Sequence, residues 1–296
     1  MKRIYVLLVL CVLSGLHLSL SAQEKSKQLF DYPQVPDTIS TLENRSNYFI
    51  SRFWNPLDFS KTITDKETFE TTFIDYLSLI PHAHRTVVRS SISEMMYKAQ
   101  SNMKNYWLFV DAAEKYIYSE NAILRSDEVY VYFLKSIVSS SKVKKSEKIR
   151  YQSQLDMLNK NQVGMVAQNF SFADSLNQKK SFDDVPQTSS YILLFNDPDC
   201  SDCRLARVRI STNVIINELI DAGKLTLMCI TPGEYSKEWA EKVKDYPGNW
   251  VVGASEDVDT LYDLRTTPII YILDQDRRII HKHVTADELV NLFNQI

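Results

Sequence analysis

Two cysteines three positions apart, Cys200 and Cys203, stand where the apolar run Tyr191-Ile-Leu-Leu-Phe195 gives way to the helix-like stretch Cys200-Ser-Asp-Cys-Arg-Leu-Ala-Arg207. This feature constrains the fold most, because it demands a strand-to-helix junction with both sulfurs at the first turn. A thiolate at a helix N-terminus is stabilised by unpaired backbone N–H groups and by the helix dipole. Cys200 is expected to hold that position. Cys203 lies one helical turn later, within reach of the first sulfur, so a mixed disulfide formed at Cys200 is resolvable by Cys203.

The remaining cysteines support a redox reading by being few. Cys11 lies in a segment expected to be removed, and Cys229 sits in Leu225-Thr-Leu-Met-Cys-Ile230, which reads as a buried strand. A secreted fold stapled by disulfides would carry more cysteines on a shorter chain, and a structural zinc site would need a second ligand pair. His281 and His283 could supply that pair from one face of a strand, but an exposed strand face is the plainer account. A static Cys200–Cys203 disulfide would close so small a loop that it restrains the unfolded chain little. A redox-active dithiol, with no metal and no cofactor, is therefore the expectation.

The chain opens with Lys2 and Arg3, an apolar run from Ile4 to Leu13, and the small residues Ser19, Ser21 and Ala22 before Gln23. That pattern predicts a signal peptide over residues 1–22 and an exported, periplasmic-type location. The apolar run is interrupted by Ser14, Gly15 and His17 and is short for a membrane span, so no membrane anchoring is expected once it is removed. Leu10 is too large for the small-residue context of a lipid-modified cysteine at Cys11. Loss of Lys2 and Arg3, with no acid alongside, takes the formal charge from −3 to −5. Such a balance leaves no electrostatic footprint for nucleic acid. The basic run Lys142 to Lys148 reads as a solvated helix start, and six glycines in 296 residues include no phosphate-cradling loop.

Residues 40–162 carry helical periodicity with little strand signal, which predicts an all-α N-terminal domain. In Thr64 to Ile80 the residues Phe69, Phe73, Ile74, Tyr76 and Leu77 share one face, and Pro81 closes the segment. Further helices are expected over 87–99, 106–118, 127–138 and 146–159. The aromatic residues Trp54, Trp107, Tyr116, Tyr118, Tyr130 and Phe133 are expected in the core of this part rather than in a binding groove. After Gln162 the pattern changes to short β-rich runs alternating with amphipathic helices, the mark of a sheet covered by helices. Strands are expected over 169–172, 191–195, 225–230, 250–252, 269–273 and 279–283, and helices over 201–222, 234–243, 258–264 and 286–295. A domain boundary is placed between 162 and 163.

With the dithiol at its junction, the segment Leu264-Arg-Thr-Thr-Pro-Ile-Ile-Tyr-Ile-Leu-Asp274 resembles the cis-proline loop of thioredoxin. The resemblance covers residues 163–296 and is closest to exported thiol-disulfide oxidoreductases of the TlpA/ResA type. It extends to Val166–Asp174 and Asn177–Phe182, similar to that group's N-terminal hairpin, and to Asp274–Ile280, similar to the hairpin after the cis-proline strand. Segments Arg52–Phe59 and Ala113–Asn121 resemble an uncharacterised helical domain found ahead of such domains. The fold implied is an α/β thioredoxin-like C-terminal domain behind an all-α one. The resemblance implies that Cys200 and Cys203 form a redox-active disulfide and that Thr267 and Pro268, joined by a cis bond, shape the substrate platform. It also implies protein thiols or disulfides as substrates and an electron-donor protein as second partner, with reduction the expected direction.

Three positions depart from that family. Asp199 replaces the aromatic residue common before the first cysteine, and Leu194 stands where thioredoxin buries an acid. Asp197, Asp199 and Asp202 surround the dithiol and disfavour a nearby thiolate, although screening of exposed carboxylates leaves the helix terminus the stronger influence at Cys200. A rival reading from another class is a non-catalytic partner- or peptide-binding protein on a thioredoxin-like scaffold. Retention of both cysteines and of Pro268 speaks against it.

Overall fold

Asp65 caps the helix expected within Thr64 to Ile80, its carboxylate accepting from the Thr68 N–H at 3.1 Å, and the helix it opens buries Phe69, Phe73, Tyr76 and Leu77. Such caps satisfy backbone donors that the first turn leaves without partners. The computed structural model describes residues 28–120 and 122–295; the segment read as a signal peptide, with Cys11, lies outside them. The N-terminal region is helical: α1 Leu42–Arg52, α2 Lys66–Ser78, α3 Arg85–Ala99, α4 Met103–Ala113, α5 Asp127–Ser139 and α6 Lys145–Leu158. Helix α1 buries only Ser46 and Ile50 of its own residues, and sequence reading did not single it out.

An aromatic core holds these helices together. Trp54 packs edge-on against Phe109 with ring centroids 5.0 Å apart, and Phe53 packs against both Trp54 and Tyr76. Trp54, Tyr116, Tyr130 and Phe133 are buried in this core, with Trp107 and Tyr118 packed partly exposed against it. The helix expected over 106–118 ends its α-helical part at Ala113. Glu114–Tyr118 continues as a π-helical turn, closed by the Ser119 N–H on the Glu114 carbonyl at 2.8 Å. Turns of this kind insert one residue into the helical ladder and change the direction in which the chain leaves it.

Beyond the helices comes a seven-stranded sheet: β1 Ser171–Ala173, β2 Lys179–Ser181, β3 Ser190–Phe195, β4 Leu225–Pro232, β5 Val251–Ser255, β6 Ile269–Asp274 and β7 Ile279–Lys282. Its order is β2-β1-β5-β4-β3-β6-β7. Strand β3 runs parallel to β4 and antiparallel to β6, so it lies inside the sheet, where both faces are covered. That position accounts for its uninterrupted apolar sequence. Ile192 and Leu194 face one layer, with Ile210, Ile216, Ile220, Leu289 and Phe293. Tyr191, Leu193 and Phe195 face the other, with Phe170, Phe182 and Tyr262. In β5, Gly253 leaves room for Phe172: a Cβ there would come within 2.4 Å of its ring.

The covering helices are α7 Ser201–Ser211, α8 Val214–Asp221, α9 Lys237–Val243, α10 Val258–Leu261 and α11 Ala286–Phe293. Here the single helix expected over 201–222 is corrected to two. The Asn213 side chain accepts from the Ile216 N–H at 2.9 Å and starts α8 afresh, while Asn217 Nδ2 donates to the Ser211 carbonyl. Asparagine competes for backbone groups in this way, and it breaks the helix despite continued apolar periodicity.

Candidate active site

The end of β3 and the start of α7 place the two cysteines together. Cys200 is the N-cap of α7, and its Sγ accepts from the Cys203 N–H at 3.2 Å. Both are free thiols; Cys200 is partly exposed, whereas Cys203 is buried. Burial opposes ionisation of Cys200, but the Cys203 thiol and the backbone N–H groups of Cys203 and Asp202 outweigh it and lower its pKa. At Cys203, burial first and the Cys200 sulfur second push the pKa up to about 11. The two sulfurs therefore differ in kind, one poised to be a thiolate and one held as a thiol.

Across from the dithiol lies the loop before β6, whose Thr267–Pro268 peptide bond is cis. The Cys200 thiol points at the Thr267 carbonyl oxygen, 3.8 Å away. Thr267 and Pro268 border different cavities. Thr267 lines one of about 320 Å³ with Asp197, Thr231, Trp239 and Lys242. Pro268 lines a larger one of about 710 Å³ between α7 and α11. The structure thus brings together all four residues that sequence reading placed at the site: Cys200, Cys203, Thr267 and Pro268.

One of the acids around the dithiol is ion-paired. Asp199 Oδ2 lies 2.9 Å from Lys242 Nζ, which Glu238 also contacts at 2.7 Å. Behind the dithiol, Leu194 is fully buried and pairs with Cys229 and Ile270. The polar group nearest in sequence is Asn196, also fully buried; it donates to Cys229 Sγ at 3.2 Å and accepts from Arg207, whose guanidinium stacks on Tyr246. Burial pushes the Cys229 thiol up to about 12, consistent with an inert core residue. The Asp197 N–H points at Cys203 Sγ from 3.5 Å, a donor that favours the thiolate when it forms.

Sequence reading missed the residues that tie the helical region to this loop. Asp127, in the first turn of α5 and 3% exposed, contacts Arg265 Nη2 at 3.1 Å, Lys282 Nζ at 2.9 Å and His283 Nε2 at 2.8 Å. Burial opposes ionisation of Asp127, but the hydrogen bond and charge of His283, then those of Lys282, hold its carboxyl far below the usual range. Arg265 also donates to the Tyr118 carbonyl at the end of the π-helical turn and lies over the Tyr118 ring. These residues are distant in sequence and belong to no motif, so only an unusual Arg-Thr-Thr-Pro ahead of the strand offered a signal. The histidine pair is corrected here: His281 is exposed on β7, whereas His283 lies beyond the strand at φ 56° with its ring turned to Asp127. Among the described residues, no group of His, Cys, Asp and Glu could hold a metal ion.

Residues 17–161 match a domain of unknown function, DUF5106. No curated protein matches the sequence. A thioredoxin-like protein of Bacteroides caccae superposes over 90% of this chain and 99% of its own, at 24% identity and TM-score 0.85. A conserved protein of unknown function from Bacteroides fragilis matches 45% of this chain and 98% of its own, at 32% identity and TM-score 0.42. The thioredoxin domain of a Bacteroides vulgatus thiol-disulfide oxidoreductase matches 45% of this chain and 96% of its own, at 20% identity and TM-score 0.40. The Bacteroides caccae structure spans nearly the whole molecule, and on that likeness the chain has a helical N-terminal region followed by a thioredoxin-like fold that carries the dithiol.

Proposed function

We propose that the protein is an exported thiol-disulfide oxidoreductase of the TlpA/ResA type that reduces or exchanges disulfides of other proteins through Cys200 and Cys203. The observation that carries this reading is the asymmetry of the pair: a partly exposed N-cap sulfur with a lowered pKa, backed by a buried thiol at about 11. In reduction, the Cys200 thiolate attacks one sulfur of a substrate disulfide, and the other sulfur leaves as a thiolate that takes up a proton. Cys203 then loses its proton and attacks Cys200 Sγ, releasing the second substrate thiol. Two electrons have passed to the substrate, and the protein holds a Cys200–Cys203 disulfide. A dithiol protein donor, as yet unidentified, returns it to the reduced state by the same exchange run against it.

Thr267 and Pro268 form the platform for the substrate. The Thr267 backbone, facing Cys200 Sγ, is placed to pair with an extended chain and align its disulfide for in-line attack. Export rests on the leader-like residues 1–22, and the thioredoxin-like domain is taken to begin at residue 163. Replacing Cys203 with Ser tests the assignment: the variant should accumulate mixed disulfides at Cys200, visible as adducts by mass spectrometry under non-reducing conditions. Cys200→Ser should accumulate none. Equal adduct formation by both variants would overturn the assignment of Cys200 as nucleophile.

A further inference from the structure

The larger cavity beside Pro268 contains a cation, Arg125, that makes no ion pair among the described residues, although Asp202 and Asp287 also line the cavity. Arg125 leaves the helical region just ahead of α5 and reaches the cis-proline loop, where Nη1 donates to Thr266 Oγ1 at 3.1 Å and Nη2 faces His283 Nδ1 at 3.4 Å. Neither partner is a carboxylate, and the buried Nε has no hydrogen-bond partner. Among the described residues, no carboxylate lies within ion-pair distance of Arg125, although the neighbouring cations are paired: Arg265 and Lys282 share Asp127, and Arg209 is held by Asp287 at 2.9 Å. Partly buried guanidinium groups are ordinarily matched by an acceptor with which their planar fork can pair.

The walls around Arg125 show what such an acceptor belongs to. Leu205 and Val208 project from α7 into the same cavity while 66% and 55% exposed, and Pro268, Ile269 and Val284 complete an apolar lining. Exposed apolar side chains grouped beside a polar anchor mark a recognition surface rather than ordinary solvent-facing structure. An extended chain held at Thr267 advances about 3.3 Å per residue, so Arg125, bonded to the adjacent Thr266, falls within about three residues of the cysteine under attack.

We propose that Arg125 is the specificity residue of the substrate groove. It pairs with a carboxylate side chain of a polypeptide substrate, one to three residues from the reacting cysteine, while neighbouring apolar side chains of that substrate rest on Leu205 and Val208. The inference deepens the oxidoreductase reading and rests on it. It makes the helical region part of substrate selection, since Arg125 is the point where that region enters the cavity.

The test uses the full chain, reduced, and single-cysteine peptides blocked as mixed disulfides with mercaptoethanol, carrying Glu or Gln at each of three positions on either side of the cysteine. At one position the Glu peptide should be reduced about tenfold faster than its Gln twin, the size expected of one charge-assisted contact. The ratio should fall towards one in Arg125→Gln and in high salt, and be partly kept in Arg125→Lys. Because both peptides are read on the same protein, a general loss of activity cancels. A ratio of one at every position in the native protein, or one that Arg125→Gln or salt leaves unchanged, overturns the proposal. A stronger Arg125-dependent preference for oxidised glutathione than for any peptide overturns the polypeptide assignment. Reduction of bis(2-hydroxyethyl) disulfide separates the two readings: a protein that leaves it intact fails as an oxidoreductase, and both readings fall. One that reduces it without a Glu preference fails only here.

Discussion

Arg265 Nη2 lies 3.1 Å from Asp127 Oδ1, and through that contact the loop carrying Pro268 is bound to the first turn of a helix 138 residues earlier in the chain. Asp127 contacts Lys282 and His283 at the same time, and the Lys282 side chain is only 6% exposed. One carboxylate thus holds three groups of the thioredoxin-like part against the helical region.

Asp127→Asn should be strongly destabilising, because it leaves the buried Lys282 ammonium with only Glu128 at 3.6 Å, although Arg265 keeps Asp263 at 2.6 Å. Removing one partner of a buried ion pair typically costs about 3–5 kcal/mol. By contrast, Glu70→Gln at the more exposed Lys115–Glu70 pair should cost less than about 1 kcal/mol. Urea unfolding of the two variants compares them directly; similar midpoints would mean that the Asp127 contacts contribute little.

The same carboxylate should shape the acid limb of stability. Its folded pKa is lowered, so the unfolded state binds the proton first, and the stability it confers is full above the ordinary Asp range near ~3.9 and lost as pH falls below it. Asp127→Asn should therefore flatten the loss of unfolding free energy on acidification. Identical slopes in the two proteins would assign the acid sensitivity to other carboxylates.

In the reduced native protein, iodoacetamide near neutral pH should modify Cys200 well before Cys203 or Cys229, whose thiols lie at about 11 and about 12. The thiolate is the reacting form, and Cys200 alone of the three is partly exposed. Peptide mapping of the first label reads the order. Early labelling of Cys229 would contradict its place inside the sheet.

Lys242→Met should raise the Cys200 pKa modestly. The substitution frees Asp199, next in sequence to Cys200, from the ammonium group now 2.9 Å away, and an unpaired carboxylate disfavours the thiolate. The effect should shrink in high salt because these groups face solvent. Thiolate absorbance tracked against pH measures it, and a downward shift would contradict the argument.

Much of this arrangement was legible in the chain because it is local. Cys200 and Cys203 share one turn, Thr267 and Pro268 stand just ahead of one strand, and the apolar runs of β3, β4 and β6 mark the sheet without outside help. The features that escaped depend on contacts between distant segments. Nothing within Leu124–Val129 tells that Arg125 reaches Thr266 or that Asp127 meets Arg265, since a charged first turn is an ordinary helix start. The break at Asn213 escaped for the opposite reason: apolar spacing continues across it, and the helix is divided by side-chain bonds, Asn213 accepting from the Ile216 N–H and Asn217 donating to the Ser211 carbonyl.

The shared carboxylate also bears on how this molecule can be divided. If the chain were cut before residue 163, Arg265, Lys282 and His283 would remain together beside Pro268 while Asp127 departed with the other fragment. In the isolated C-terminal fragment Arg265 would keep Asp263, 2.6 Å away, but Lys282 would lose both of its carboxylates, Asp127 and Glu128, and stand uncovered at the end of β7. The loop facing Cys200 is in this sense common property of both halves, and neither is a portable module.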